Sequence, residues 1–150
     1  MRSWIERVAS PADLDAVLEI ESASFYNPTT REWYESELQR PDVCFVYVLR
    51  TDAHQVAGFC AFWKVIDQIH INNLAVRPEL RGQGLGTAML VSVLEEAAAM
   101  GAPHATLEVR RSNEAARRVY LRAGFGLAGV RTAYYSNPIE DAFILVRKPA

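Results

Sequence analysis

The stretch Arg81-Gly82-Gln83-Gly84-Leu85-Gly86 joins two segments of different period, and that junction limits what the chain can become. Before it, His70 to Val76 reads as a strand ended by Arg77-Pro78. After it, Leu85, Met89, Val93, Leu94, Ala97 and Met100 recur at helical spacing on a long helix that stops at Gly101. A strand running through glycines into a helix start points several backbone N–H groups the same way, at the positive end of the helix. Such a turn can cradle an anion, and Arg81 supplies a further donor. It can equally be an ordinary strand–helix connection, and the loop alone leaves both readings open. A P-loop requires Gly-Lys-[Ser/Thr], whereas Gly86 is followed by Thr87-Ala88. The dinucleotide fingerprint Gly-x-Gly-x-x-Gly also fails, since it needs glycine at Thr87 or at Met89.

The remaining segments predict the frame around this junction. Trp4 to Val8 reads as a short strand, and Ser10-Pro11-Ala12-Asp13 as a helix start capped by Ser10, with Leu14, Val17 and Leu18 facing inward. Phe25 to Thr30 forms a loop, and Thr30 to Gln39 a second helix that ends before Pro41. Cys44 to Arg50, Val56 to about Ile66, and His70 to Val76 make an antiparallel meander, with Asp52-Ala53-His54 as its first turn. Ala105 to Val109 is the next strand, so the strand–helix–strand order after Leu74 requires one parallel crossover. Glu114 to Ala123 is a helix ended by Gly124, and Gly126 to Arg131 pairs with Ala142 to Arg147. The expected fold is α/β: a mixed, mostly antiparallel central sheet with one parallel crossover, flanked by about four helices, in a single domain over residues 1–150.

Composition removes whole classes of function. Sixteen Lys and Arg against eighteen Asp and Glu leave a formal charge of −2, too little positive field to hold nucleic acid or an anionic membrane. No apolar run reaches the roughly 18 residues of a membrane span, and Glu6, Arg7, Asp13 and Asp15 break up any leader-like stretch. Cys44 and Cys60 each sit in an apolar run and read as reduced core thiols of an intracellular protein. His54, His70 and His104 show no ligand spacing, so no metal is expected.

Two residues carry candidate chemistry. In Ala105-Thr106-Leu107-Glu108-Val109, alternation puts Leu107 and Val109 on one face and Thr106 with Glu108 on the other. A carboxylate there is either a solvent-facing strand residue or a base partly removed from water. Tyr120, on the helix after Asn113, is either core packing beside Ala116 and Val119 or a proton donor. The arginines at 110, 111, 117, 118 and 122 read as a solvated basic face, and Ser112 as the cap of that helix.

The glycine motif, preceded by Leu74-Ala75-Val76-Arg77-Pro78, resembles the acetyl-CoA loop of the GNAT superfamily of N-acetyltransferases. Leu107-Glu-Val-Arg-Arg-Ser-Asn113 and Ala116-Arg-Arg-Val-Tyr-Leu-Arg-Ala-Gly-Phe125 resemble the second half of that superfamily. Together with Arg131, Tyr134-Tyr135 and Glu140-Asp141-Ala142, the set is similar to RimI-type ribosomal-protein alanine N-acetyltransferases. The resemblance implies direct attack of an amine on acetyl-CoA, with Glu108 as base and Tyr120 as acid. It implies that Arg81, Gly82, Gln83, Gly84, Leu85, Gly86 and Thr87 wrap the pyrophosphate, and that the backbone of Leu74, Ala75 and Val76 pairs with the pantetheine. Asn113 is expected near the thiol end, while Arg131, Tyr134 and Tyr135 shape the acceptor groove. The implied acceptor is a protein N-terminus, of a ribosomal protein for this type. A small-molecule amine, or acyl-CoA binding without turnover, remains an alternative reading on the same scaffold.

Overall fold

The computed structural model describes residues 2–8, 10–52 and 55–149, so Ala53 and His54 of the expected first turn lie outside the described residues. The strands are β1 (Ser3–Arg7), β2 (Cys44–Thr51), β3 (Val56–Val65), β4 (Gln68–Val76), β5 (His104–Arg110), β6 (Gly126–Tyr135) and β7 (Glu140–Arg147). The helices are α1 (Pro11–Ser24), α2 (Arg31–Leu38), α3 (Leu85–Ala99) and α4 (Glu114–Arg122), with a short 3-10 turn at Pro78–Leu80. The sheet order is β1-β2-β3-β4-β5-β7-β6, antiparallel throughout except where β4 meets β5. The expected mixed sheet with one crossover and four α-helices is therefore the fold observed.

Each face of the sheet carries its own core. α3 lays Leu85, Met89, Leu90, Val93, Leu94 and Ala97 against Phe62, Ile69, Ile71, Leu107 and Leu145. Burying each large side chain of this set contributes roughly 1.5–3 kcal/mol, and α4 joins the same face through Tyr120. On the opposite face α1 and α2 bury Leu14, Val17, Ile20 and Tyr34 against Val46, Val48, Phe59 and Ala75. Both cysteines are free and buried, and among the described residues no helix is long and apolar enough to cross a membrane.

Two caps differ from expectation. Ser10 makes no side-chain bond to α1, whose start is set by Pro11 instead. Asn113, and not Ser112, caps α4: its side chain accepts from Ala116 N at 3.2 Å, while Ser112 N donates to Glu140 Oε2 at 2.6 Å. The amide one residue later in the chain is the one whose oxygen reaches the third N–H of the helix.

The feature that shapes the site is where pairing stops. β4 and β5 pair only from Gln68↔His104 to Ile71↔Leu107. Beyond that point β4 stays with β3 as far as Val76↔Gly58, and β5 stays with β7 as far as Arg110↔Ala142. The sheet therefore opens into a slot between Asn72–Val76 and Glu108–Arg110. The bend comes from a bulge, since Ala61↔Asn73 is followed by Phe62↔Ile71 and Asn72 is the extra residue. A bulge also turns two successive side chains to one face, here Asn72 and Asn73. Gly58 on β3 keeps the neighbouring backbone close, because a Cβ there would stand 2.6 Å from the Ala75 carbonyl oxygen.

Asn73 reaches into a polar knot built on Glu21, which is fully buried. The Tyr34 hydroxyl and Asn73 Nδ2 both donate to Glu21 Oε1, and Thr29 N donates to Glu21 Oε2 at 3.1 Å. Asn73 Nδ2 also reaches Thr29 Oγ1 at 3.1 Å. The loop between α1 and α2 is thereby tied to the bulge of β4. Removing the carboxylate in Glu21→Ala strands these donors in a dry site, at roughly 1–3 kcal/mol for each group left unsatisfied. Urea denaturation should show unfolding free energy lowered by about 3 kcal/mol; a loss below about 0.5 kcal/mol would show that the loop is held some other way.

Candidate active site

The glycine loop takes the form expected of an anion cradle. Gly82 and Gly84 have φ of +82° and +79°, the left-handed region where only glycine is unstrained. A Cβ built on either meets nothing within 4 Å, so both positions face open space. Gly86 is different: it lacks a positive φ, and its Cβ would make ordinary contact with Val76 at 3.7 Å and Val119 at 3.9 Å. Among the described residues, the backbone N–H groups of residues 82–87 find no acceptor within the chain. They open α3, where the helix dipole favours negative charge. A pyrophosphate fits this donor set, with Gly82, Gln83, Gly84, Leu85, Gly86 and Thr87 supplying main-chain N–H. The Arg81 side chain is engaged elsewhere: Nε donates to Val76 O at 3.0 Å and Nη2 to Ser24 Oγ at 2.9 Å. It buttresses the loop against β4 and α1.

Beside the loop, β4 presents one edge to the slot. Arg77 N donates to Ala57 O of β3, so by alternation Val76 and Leu74 turn their main-chain groups to the slot and Ala75 turns toward β3. The Ala75 carbonyl lies beside Gly58 of β3, so the main chain of Leu74 and Val76 carries the open edge. The Val76 carbonyl already accepts from Arg81, which leaves its N–H as the free group.

Across the slot, on the α1–α2 face, lies a cleft of about 470 Å³. Thr29, Thr30 and Trp33 form one wall, Asn72 and Asn73 the floor, and Tyr134 and Tyr135 the opposite wall, with Glu108 and His70 among the lining residues. Asn27 Nδ2 donates to Ser136 O at 3.0 Å and ties the two walls together. The Glu108 side chain is 15% exposed, its Oε2 lies 2.5 Å from His70 Nε2, and its Oε1 lies 3.9 Å from Arg131 Nε. Tyr134 and Tyr135 line this cleft, and Arg131 stands beside Glu108. Burial pushes the Tyr135 hydroxyl up to about 12, with Tyr134 and Glu108 adding to the effect.

Tyr120 lies on the other face, with its ring 5.6 Å edge-on from Phe125. Its hydroxyl is not among the sealed polar atoms left without a partner in the described residues. Burial, followed by Cys60 and Tyr135, raises it above the ordinary tyrosine value. Asn113 spends its side-chain oxygen on the α4 cap. Arg110 departs from the solvated basic face: it lies between the rings of Tyr26 and Tyr135, at 4.9 and 4.4 Å, and donates to Ser136 O and Pro138 O. It braces the β6–β7 loop that carries the tyrosine wall.

Sequence reasoning missed His70, Asn72, Asn73 and Glu21. Their contacts depend on strand register and on a bulge, which leave no local signature. The loop geometry makes its own prediction for coenzyme A binding measured by calorimetry. Gly84→Ala forces a left-handed alanine at about 1–2 kcal/mol and should raise Kd about tenfold, whereas Gly86→Ala should weaken binding less. The reverse order would contradict the assignment of Gly84 to the cradle.

The comparisons agree with this arrangement. Residues 14–125 match the model of the Acetyltransferase (GNAT) family. A Bacillus subtilis protein provisionally named a ribosomal protein bS18-alanine N-acetyltransferase is 38% identical over 133 residues, covering 89% of this chain and 87% of its own. The bS18-alanine N-acetyltransferase of Escherichia coli K12 is 33% identical over 135 residues, 89% of each chain. The crystal structure of the Escherichia coli ribosomal-protein-S18-alanine N-acetyltransferase superposes with a TM-score of 0.86 at 29% identity, covering 99% of this chain and 96% of that one. By fold, cradle and family match, the chain belongs to the GNAT family and is an acetyl-CoA-dependent N-acetyltransferase of the RimI type.

Proposed function

We propose that the chain, as one domain over residues 1–150, acetylates the α-amino group of a protein N-terminus, with a ribosomal protein as acceptor. One observation carries this reading: the slot between β4 and β5 joins a cofactor cradle on one face to a Glu108-lined cleft on the other. The near full-length similarity to bS18-alanine N-acetyltransferases supports the choice of acceptor. A bacterial ribosomal acceptor and two reduced thiols both suit the cytoplasm.

Acetyl-CoA supplies an acyl group already activated as a thioester. The residues would then divide the work. The N–H groups of residues 82–87 hold the pyrophosphate, and Leu74 and Val76 pair with the pantetheine along the open edge of β4. The Val76 N–H meets the carbonyl oxygen as negative charge develops on it. Glu108 takes a proton from the incoming ammonium, directly or through water. Tyr120, whose hydroxyl is held above the ordinary tyrosine value by burial, gives its proton to the departing sulfur. At pH 7 about a tenth of α-amino groups are already neutral, against about 0.04% of lysines. A single carboxylate base therefore suits an N-terminus better than a lysine side chain.

The test is product mass spectrometry with acetyl-CoA and three acceptors: a peptide with the bS18 N-terminus, the same peptide blocked at its α-amine, and a panel of polyamines and amino acids. Acetylation of the free N-terminus alone is expected. An inert peptide beside a rapidly acetylated small amine would assign the enzyme to small molecules instead. In the same assay Glu108→Gln should lower kcat/KM about 10- to 100-fold near pH 7, and the deficit should shrink as pH rises through the amine pKa of about 8. Tyr120→Phe should lower kcat while acetyl-CoA binding persists. A Tyr120→Phe enzyme at full speed would remove Tyr120 from the reaction.

A further inference from the structure

His70 and Asn72 carry no role in the reading above, yet His70 touches its base and Asn72 touches His70. His70 stands on β4 opposite Thr106 of β5, which brings its ring to the same face as Glu108. Nε2 lies 2.5 Å from Glu108 Oε2, and Nδ1 lies 2.8 Å from Asn72 Oδ1. Trp63 of β3 packs 6.0 Å from the ring, and the other charged group facing the pair is Arg131 of β6, at 3.9 Å from Glu108 Oε1.

The Asn72 amide decides how the ring is protonated. With Oδ1 toward Nδ1, both ring nitrogens face acceptors and Asn72 Nδ2 is left buried without a partner. A buried amide donor without an acceptor is costly. Turning the carboxamide over puts Nδ2 against Nδ1 and exchanges an orphaned N–H donor for a carbonyl oxygen, whose under-satisfaction is tolerated better. The imidazole is then neutral, with its one proton on Nε2 and aimed at Glu108. Building on the proposed role of Glu108, we infer that Asn72 and His70 are positioning residues for the base. Asn72 donates to Nδ1 and fixes the Nε2–H tautomer; Nε2–H binds Oε2 and leaves Oε1 as the oxygen that takes the amine's proton. Alternation along β4 puts Asn72, two residues on, on the face occupied by His70.

Two measurements test the inference. Nitrogen-15 NMR of the full chain at pH 8 should show His70 neutral with its proton on Nε2, and Asn72→Ala should release the ring into a mixture of tautomers. A proton on Nδ1, or on both nitrogens, in the unmodified chain would overturn the inference. In kinetics, His70→Ala should lower kcat about tenfold, the worth of one hydrogen bond to a charged group, with the KM for acetyl-CoA unchanged. His70→Gln, which keeps a side-chain N–H, should regain part of the loss. In a Glu108→Gln background His70→Ala should cost nothing further; losses that simply multiply would contradict the coupling. If Glu108→Gln alone runs at full speed, the role of Glu108 as base falls. If Glu108→Gln is slow and His70→Ala is not, only the present inference falls.

Discussion

The early end of the β4–β5 pairing governs the rest of the molecule. A parallel pair that continued past Ile71 and Leu107 would close the sheet, and the two faces would have nothing to exchange. Because it stops there, the main-chain edge of Leu74 and Val76 is left for an extended ligand, and Glu108 on the opposite strand is reachable from the other side. The bulge at Asn72 is the local cause, and one inserted residue has two effects. It bends β4 away from β5 and presents Asn73 to the Glu21 knot, while alternation keeps Asn72 beside His70.

The polar groups around the slot are arranged by range of action. The glycine loop presents main-chain N–H groups at a helix start, which need no side-chain ordering, while Arg81 holds the loop in place. The cleft is lined by side chains, and each wall has its own brace. Glu21 holds the α1–α2 loop, and Arg110 holds the β6–β7 loop between two aromatic rings. The positive φ of 52° at Ala133 breaks the β6 register before Tyr135 and lets that strand end bend over the cleft.

What could be read from sequence followed chain-local periodicity. Alternation placed Glu108 away from Leu107 and Val109, and the structure keeps that pattern along β5. The helical repeat found the buried face of α3, and the glycines at 82 and 84 marked turns that require positive φ. Boundaries drifted where partners decide them: β6 runs on to Tyr135, and β7 starts at Glu140, because the two strands hold each other. The Ala75 carbonyl lies against Gly58, and the Asn113 side-chain oxygen caps α4, contacts that motif matching alone does not give. Glu21 looked like one more helix carboxylate, and only the packing of α1 against β4 reveals that it is buried. The contact of His70 with Glu108 spans 38 positions and follows from parallel register, which no local pattern encodes.

Amide hydrogen exchange with and without coenzyme A tests the central claim most directly. If the cofactor seats in the cradle and along the opened edge of β4, exchange should slow at Leu74, Val76 and residues 82–87, and stay unchanged on the outer strands β1 and β6. Protection that leaves those amides untouched and falls elsewhere would mean that the slot is not the route by which the acetyl group reaches Glu108.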